Sequence, residues 1–387
     1  MMPFPQMLLG LAAGLALYTY AGYPAVLKVL SWFRRPSKTG PSSVDAWPRI
    51  SIMVPVYNEE SVIATTLERI LAADYPRERR QILVVSDAST DGTHAIVAGF
   101  ADQGVELLPL PRRQGKTAAE NAARAHLTGE IVVTTDASVR VHPDAFKHLA
   151  AAFADPSVGV ASGRDVSVAN LDAPANAGEK TYVGYEMWVR DLETAVDGIV
   201  GASGCLYAIR ADLHMHDIPE ALSRDFASAL TARAHGKRAV SVPAALCYVP
   251  RGSSLHREYA RKVRTITRGI GTLLHKRAVL NPLRTGLFAW MLFSHKVCRW
   301  LLPWALLLFV GALAALALTS PWARAALAAT IVVGLLAAIG WLWSERGRIP
   351  RLVALPAYVV AGNVAVLHAW LRVLGGRLAP VWEPTRR

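Results

Sequence analysis

A chain of 387 residues, 52% hydrophobic and only 18% charged, is long enough for one large domain or two small ones and too apolar for an ordinary soluble enzyme. Its net charge of +13 would suit nucleic acid, anionic lipid or a phosphorylated substrate. Much of that charge lies just ahead of a C-terminal apolar block, at Arg257, Arg261, Lys262, Arg264, Arg268, Lys296 and Arg299, as expected for the cytoplasmic side of a membrane, and the absence of helix-turn-helix, zinc-finger or RNA-binding signatures argues against nucleic acid.

In chain order, an apolar stretch over 8–32 is long enough to span a bilayer. No Lys or Arg precedes it, and Arg34, Arg35 and Lys38 follow, so residues 1–36 are expected to form an anchor with its N-terminus outside rather than a cleaved signal. Residues 37–48, rich in Pro, Ser, Thr and Gly, form a linker. From 49 to 252 short apolar runs alternate with amphipathic stretches. The pattern predicts strands over 50–56, 81–86, 105–110, 131–135 and 158–162, with helices over 59–73, 93–102, 116–127 and 143–153. A helix over 176–196, a strand over 206–209, a helix over 225–235 and a strand over 239–242 follow. The fold class is therefore α/β with a mostly parallel central sheet, in which ligands bind at the carboxyl ends of strands. The basic stretch 253–299 suits helices in the membrane interface, and three apolar segments fill 300–375 ahead of a basic tail over 376–387. One anchor plus three crossings leaves the C-terminus outside, whereas Arg372, Arg377, Arg386 and Arg387 place it inside. The last segment, with Pro356, Gly362, Asn363 and His368, suits an interfacial or re-entrant helix as well as a span. Cys205, Cys247 and Cys298 have neither paired nor zinc-type spacing and read as reduced thiols.

Four acidic stations recur along the globular region. In Pro55-Val-Tyr-Asn-Glu-Glu60, after the first strand, Tyr57 can stack on a base and Asn58 or Glu59 can hydrogen-bond it; Asn58 would equally cap a helix. Asp87 ends the second strand, where it can accept a hydrogen bond from base or ribose, and Asp91-Gly92 turns the chain into the next helix. Asp136, in Thr135-Asp-Ala-Ser138, can help hold a hard divalent cation on a diphosphate, or serve only as a turn residue. Asp225 at a helix start can be a general base or an N-cap. Lys116 follows Gly115 at a helix N-terminus suited to phosphate, and Arg261 and Arg264, three residues apart, could clamp a diphosphate or face lipid.

Taken in order, these stations resemble the family 2 glycosyltransferases with a GT-A fold, over about 49–268. The flanking membrane segments and Ser294-His-Lys-Val-Cys-Arg-Trp300 resemble the synthase branch that includes cellulose, hyaluronan and poly-N-acetylglucosamine synthases. The resemblance implies that Pro55, Tyr57, Asn58, Glu59, Asp87 and Lys116 contact a nucleotide-sugar donor, with UDP as the expected nucleotide. It implies that Asp136 opens the D-x-D motif and Asp225 is the base. It puts Gly201, Ser203 and Gly204 on the acceptor side, and Arg261 and Arg264 at the Q-x-x-R-W motif. Mg²⁺ or Mn²⁺ is the implied cofactor, through Asp136 and Ser138. The implied partners are a saccharide or lipid-linked acceptor and membrane lipids, at the cytoplasmic face of a bacterial inner membrane. Two departures stand out. Ser138 replaces the second acid of D-x-D, leaving open a weaker hold on the cation or none. Thr265 stands where such synthases have Trp, which favours single-sugar transfer over processive polymerisation. A non-catalytic membrane scaffold with the same fold is one alternative; a different nucleotide-binding α/β protein such as a dehydrogenase is another, and the absence of G-x-G-x-x-G after the first strand counts against it.

Overall fold

A computed structural model describes residues 4–34, 47–168, 177–250, 254–343 and 350–378, the side chains of 177–182 excepted. Most of the expected linker, residues 344–349 and the tail from 379 onward, with Arg386 and Arg387, lie outside the described residues.

The chain opens with α1 (Phe4–Leu17) and α2 (Tyr23–Trp32), joined by a π-helical turn over Tyr18–Gly22. The globular region follows as β1 (Ile50–Val56), α3 (Ile63–Leu71), β2 (Arg80–Ser86), α4 (Thr93–Ala98), β3 (Val105–Pro109), α5 (Lys116–Ala123) and β4 (Ile131–Thr135). It continues through β5 (Arg140–Val141), α6 (Ala145–Ala151), β6 (Val158–Val168), α7 (Ala177–Val196), β7 (Leu206–Arg210), α8 (Ala211–His214), α9 (Arg224–Ala234) and β8 (Arg238–Pro250). Then come α10 (Leu255–His275), α11 (Pro282–Thr285), α12 (Leu287–Leu292), α13 (Cys298–Ala317), α14 (Pro321–Leu342) and α15 (Arg351–Leu374).

One sheet has the order β3-β2-β1-β4-β7-β6-β8-β5. Strands β3, β2, β1 and β4 run parallel, β7 is antiparallel to both neighbours, β6 and β8 pair in parallel, and β5 is antiparallel to β8. The all-buried run Ile-Ser-Ile-Met-Val-Pro-Val of β1 is what a parallel strand covered on both faces requires. One core packs α3 and α6 on the sheet, and a second packs α5 and α9 on the other face.

The structure corrects several expected bounds. The helix expected from 59 starts at Ile63, because Asn58 has φ +52° and the chain turns before it can wind. Strands β6 and β8 run far beyond 162 and 242. The outer half of β6 mixes polar and apolar residues and is only partly buried, so no apolar run marks it, whereas the outer half of β8, over 242–250, is an apolar run that puts Ala245, Cys247 and Val249 into the core; the two pair across a register shift after Ser162. Strand β5, two residues long, has no sequence signal.

Among the described residues four helices are long and apolar enough to cross a membrane: Phe4–Trp32, Leu287–Ala317, Pro321–Leu342 and Arg351–Leu374. The second begins inside the stretch read as interfacial. A π-helical turn over Phe293–Val297 lets α12 flow into α13. The anchor also docks on the globular region: Tyr23 and Leu27 of α2 are fully buried with Val189, Leu192 and Val196 of α7. Burying a leucine this way is worth about 1.5–3 kcal/mol. Beside that contact His295 of the π turn lies between Glu193 (2.5 Å) and Glu186 (2.8 Å), Tyr23 donates to Glu193 (2.6 Å) and Arg299 to Glu186 (2.5 Å). Burial alone would raise the Glu186 carboxyl, but His295, Arg299 and Lys296 outweigh it and hold it well below its usual value. The segment Ser294–Trp300 thus ties the second apolar helix to α7.

Candidate active site

The C-terminal ends of β1, β2 and β4 meet at a pocket lined by Pro55, Val56, Tyr57, Asp87, Lys116, Ala119, Asp136 and Ala137. Three of the four acidic stations, through Tyr57, Asp87 and Asp136, therefore line one cleft with Lys116, and Asp225 is not part of its lining.

Asp87 is almost fully buried, and both of its carboxylate oxygens accept backbone N–H bonds at 2.7 Å, from Gln114 and Gly115. Asp87 was expected to reach for base or ribose; its first task in the structure is to hold the turn into α5. Gly115 sits there at φ +98°, which a side chain would resist. That turn delivers Lys116, whose ammonium donates to Asp136 Oδ1 (2.6 Å) and to the Gly204 carbonyl (3.0 Å). Burial opposes the charge on Lys116, but Asp136 and Glu120, with Asp225 further off, overcome it and raise its pKa. Lys116 is a fixed cation on the pocket wall.

Gly204 carries the arrangement to Asp225. A side chain on Gly204 would begin 2.7 Å from Asp225 Oδ2, so the two segments touch. Asp225 lies in the first turn of α9 behind its N-cap, Ser223. Its Oδ1 accepts from the Ser223 hydroxyl and from the Phe226 amide (2.8 Å), leaving Oδ2 toward the 201–204 loop. The same loop gives the Gly201 carbonyl to Arg190 (2.6 Å) and the Ser203 hydroxyl to Asp165 (2.8 Å). Gly201 itself faces the Phe226 ring.

Other expected residues take different partners. Asn58 neither caps α3 nor leaves its amide toward the pocket: it accepts from Thr90 N (2.8 Å) and donates to Thr90 Oγ1 (3.3 Å), clasping the loops after β1 and β2. The Glu59 amide donates to Thr93 Oγ1, and Glu60 Oε2 accepts from Gly92 N, within the same clasp. Tyr57 lines the pocket with the Arg113 guanidinium 3.8 Å from its ring centre. Arg261 is held by Glu258 on its own helix (2.6 and 2.8 Å), and neither it nor Arg264 lines this pocket. The arginine that α10 turns inward is Arg268, one turn beyond Arg264. It is buried, donates to Thr117 Oγ1 (2.6 Å) and bonds the Leu222 carbonyl. Sequence reasoning also missed Glu120 and Arg224, buried beneath Lys116, with Glu120 Oε2 3.9 Å from Arg224 Nε. Glu120 and Arg268 each had a signal: Glu120 is four residues after Lys116, and Arg268 is four after Arg264, on the same helical faces.

For a divalent cation the donor set is sparse. Asp136 has one oxygen on Lys116, Ser138 adds only a neutral hydroxyl, and among the described residues no three His, Cys, Asp or Glu side chains gather as a metal cage. Mg²⁺-type ions are commonly held by one or two carboxylates plus substrate phosphates, so these residues fit an ion that arrives with a diphosphate and not a preformed protein cage.

A twisted parallel half-sheet that gathers carboxylates and a lysine at its strand ends, with an acid in a following helix, defines a nucleotide-sugar-transferase type of site. The chain belongs to the family described as glycosyl transferase family group 2, whose model matches residues 131–343, and the glycosyl transferase family 2 model matches residues 51–195. It is 34% identical over 128 residues to a beta-monoglucosyldiacylglycerol synthase of Synechocystis sp., a match covering 32% of this chain and 27% of that one. It is 30% identical over 165 residues to an N-acetylglucosaminyltransferase of Mesorhizobium japonicum, covering 40% and 38%. The matches thus span well under half the length of these curated relatives. In fold it is similar to the mannosyltransferase PcManGT from Pyrobaculum calidifontis, solved in complex with GDP-Man and Mn²⁺: TM-score 0.74, 24% identity, 96% of this chain and 99% of that one.

Proposed function

We propose that this chain is an inverting glycosyltransferase that moves a sugar from a nucleotide-sugar donor to a hydroxyl acceptor at the cytoplasmic face of a membrane. The observation that carries the reading is the run of contacts from Asp87 through Gly115 to Lys116, whose ammonium holds both Asp136 and the Gly204 carbonyl, with Gly204 against Asp225; it joins a phosphate-competent pocket to a carboxylate one loop away.

Pro55, Tyr57 and Asp87 line the space for the nucleoside, with Asn58 and Glu59 shaping it through the loop clasp. Lys116 meets the diphosphate. Asp136, with Ser138 beside it, would hold Mg²⁺ or Mn²⁺, and that ion would supply neutralisation of charge on the leaving group. Asp225 Oδ2 removes the acceptor hydroxyl proton and the oxygen attacks the anomeric carbon. The bond from that carbon to the donor phosphate breaks, and the nucleoside diphosphate leaves with the electron pair, steadied by Lys116. One base suffices, because a nucleoside diphosphate needs no proton to depart. Arg261 and Arg264 remain candidates for the diphosphate only if α10 shifts when donor binds.

The acceptor is proposed to be lipid-borne. Phe226, next to Asp225, meets Trp300 of the second apolar helix edge-on at 6.3 Å, so the acceptor side adjoins the membrane segment. The names of the glucolipid-synthase relatives support the same reading. Single addition is favoured over processive synthesis by Thr265. The test is release of nucleoside diphosphate by purified membranes across a donor panel, beside Asp225→Asn. The variant should lose about 10²–10⁴-fold in turnover and still bind donor. Donor binding without turnover for the wild type would point to a scaffold, and wild-type turnover by the variant would remove Asp225 as base.

A further inference from the structure

We infer that α15, although long and apolar enough to span, does not cross the bilayer: it lies in the leaflet on the side of the globular region, docked on α10, and its partner is that lipid surface. The membrane part then has three crossings, and the C-terminal arm returns to the globular region. This inference stands apart from the functional reading.

Two levels can be marked. At the near level, the first turn of α13 abuts the globular region: Trp300 meets Phe226, and its ring lies 3.2 Å from where a Gly269 side chain would begin on α10. At the far level, Leu313 and Leu316 of α13 pack with Leu9 of α1 and Ala323 of α14. Helix α14 then comes back to the near level, where Trp341 packs on His256 (4.2 Å) and Tyr259 (5.3 Å) of α10.

A crossing α15 would climb again to the far level. At 1.5 Å per residue, Trp370 lies about 28 Å along the helix from Arg351, close to the roughly 30 Å thickness of a hydrocarbon core. Its indole instead donates to the Trp300 carbonyl (2.8 Å), at the near level. Contacts between these ends are near-level too. Lys262 stands 3.8 Å over the Tyr358 ring, His368 bonds the Tyr259 hydroxyl (3.0 Å), and Leu378 reaches to 3.2 Å from where a Gly271 side chain would begin. Helix α10 cannot itself be a span, carrying Arg257, Glu258, Arg261, Lys262, Arg264 and Arg268. Meanwhile Ile331, Val332, Val333 and Leu335, in the middle of α14, are exposed, where an antiparallel crossing neighbour would cover one side.

The surface of α15 fits a leaflet. Ala357, Ala361, Ala365 and Ala369 are its buried row, while Leu352, Leu355, Val359, Leu371 and Leu374 are exposed. Arg351, Arg372 and Arg377 sit at its ends, where anionic headgroups would meet them. Three crossings starting from an outside N-terminus also bring the arginine-rich C-terminus inside, which resolves the conflict in the charge pattern. The leaflet is then one helix away from the start of α9: α10 lies between α15 and Ser223, whose amide donates to Thr272 of α10 (2.9 Å).

The test uses the full chain in vesicles of phosphatidylethanolamine with phosphatidylglycerol, spin-labelled at one lipid-facing position at a time: Leu355→Cys, Val359→Cys, Val364→Cys, Leu371→Cys, and Ile331→Cys in α14 as reference. Labels on α15 should all report depths within the outer ~10 Å of the leaflet, with Ile331→Cys at the centre. A depth profile on α15 that peaks at the centre near Val364→Cys would overturn the inference. Independently, Arg377→Cys should react with a membrane-impermeant maleimide in inverted vesicles and not in intact cells, the opposite of Thr319→Cys, after subtraction of the native thiols. Labelling of Arg377→Cys from outside intact cells would overturn it as well.

Discussion

Asp87→Asn separates a residue that binds donor from one that builds the donor site. Both Asp87 oxygens accept backbone N–H bonds at 2.7 Å from a buried position. Hydrogen bonds to a charged group are worth about 1.5–3 kcal/mol each. Asparagine keeps one neutral acceptor and turns an NH₂ toward the second N–H, so one charged bond is lost, the other weakened and a buried donor left unpaired. The expected loss is about 3 kcal/mol in the order of the 110–115 turn. Where that turn must be ordered to present Lys116, about 3 kcal/mol corresponds to a roughly 100-fold weaker donor Kd. The unliganded protein should also lose about 5–10 °C in Tm. Calorimetric titration of a nucleoside diphosphate and unfolding of the unliganded variant, both in detergent, read the two numbers. A variant with unchanged Tm and weakened Kd would make Asp87 a direct ligand contact and refute the scaffold argument. A variant unchanged in both would refute the geometry.

Gly204→Ala should place a methyl 2.7 Å from Asp225 Oδ2, displace that carboxylate and lower kcat about 10–100-fold with donor Kd little changed; full kcat would detach the loop from the catalytic acid. Excess chelator should slow transfer, since Asp136 is one hard ligand and the diphosphate supplies others; an undiminished rate would leave Lys116 as the cation that matters. His214 is pushed down to about 3 from 6.5, first by burial and then by Arg224 and Arg124. Below pH 6.5 the unfolded chain takes up a proton that the folded chain refuses. The stability from a neutral His214 is therefore complete above pH 6.5 and falls by about 1.4 kcal/mol per unit as pH drops toward 3. Denaturant midpoints between pH 7.5 and 5.5 should fall less steeply for His214→Gln than for the wild type; parallel slopes would rule the histidine out.

Much of this protein was written in local pattern. The buried runs of β1, β2 and β4 announce themselves because parallel strands covered on both faces are largely apolar, and Asp87 and Asp136, just after β2 and β4, stand where such sheets bind ligands. Pairing partners are different. The outer half of β6 is only partly buried and is held by pairing with β8, which its own residues do not announce. Whether an arginine on α10 faces its own Glu258 or Thr117 depends on how the helix is rolled against α5 and α9, which puts Arg268 inward and ties Arg261 to its neighbour. Asp87 and Asn58 read as ligand contacts because only distant chain segments, Gln114–Gly115 and Thr90, reveal what their oxygens accept. The last apolar helix is the same case at larger scale. Length and hydropathy state that it can cross a membrane, but the choice between crossing and lying flat belongs to the residues it touches, because depth is a property of position relative to other helices and is not encoded within the helix itself.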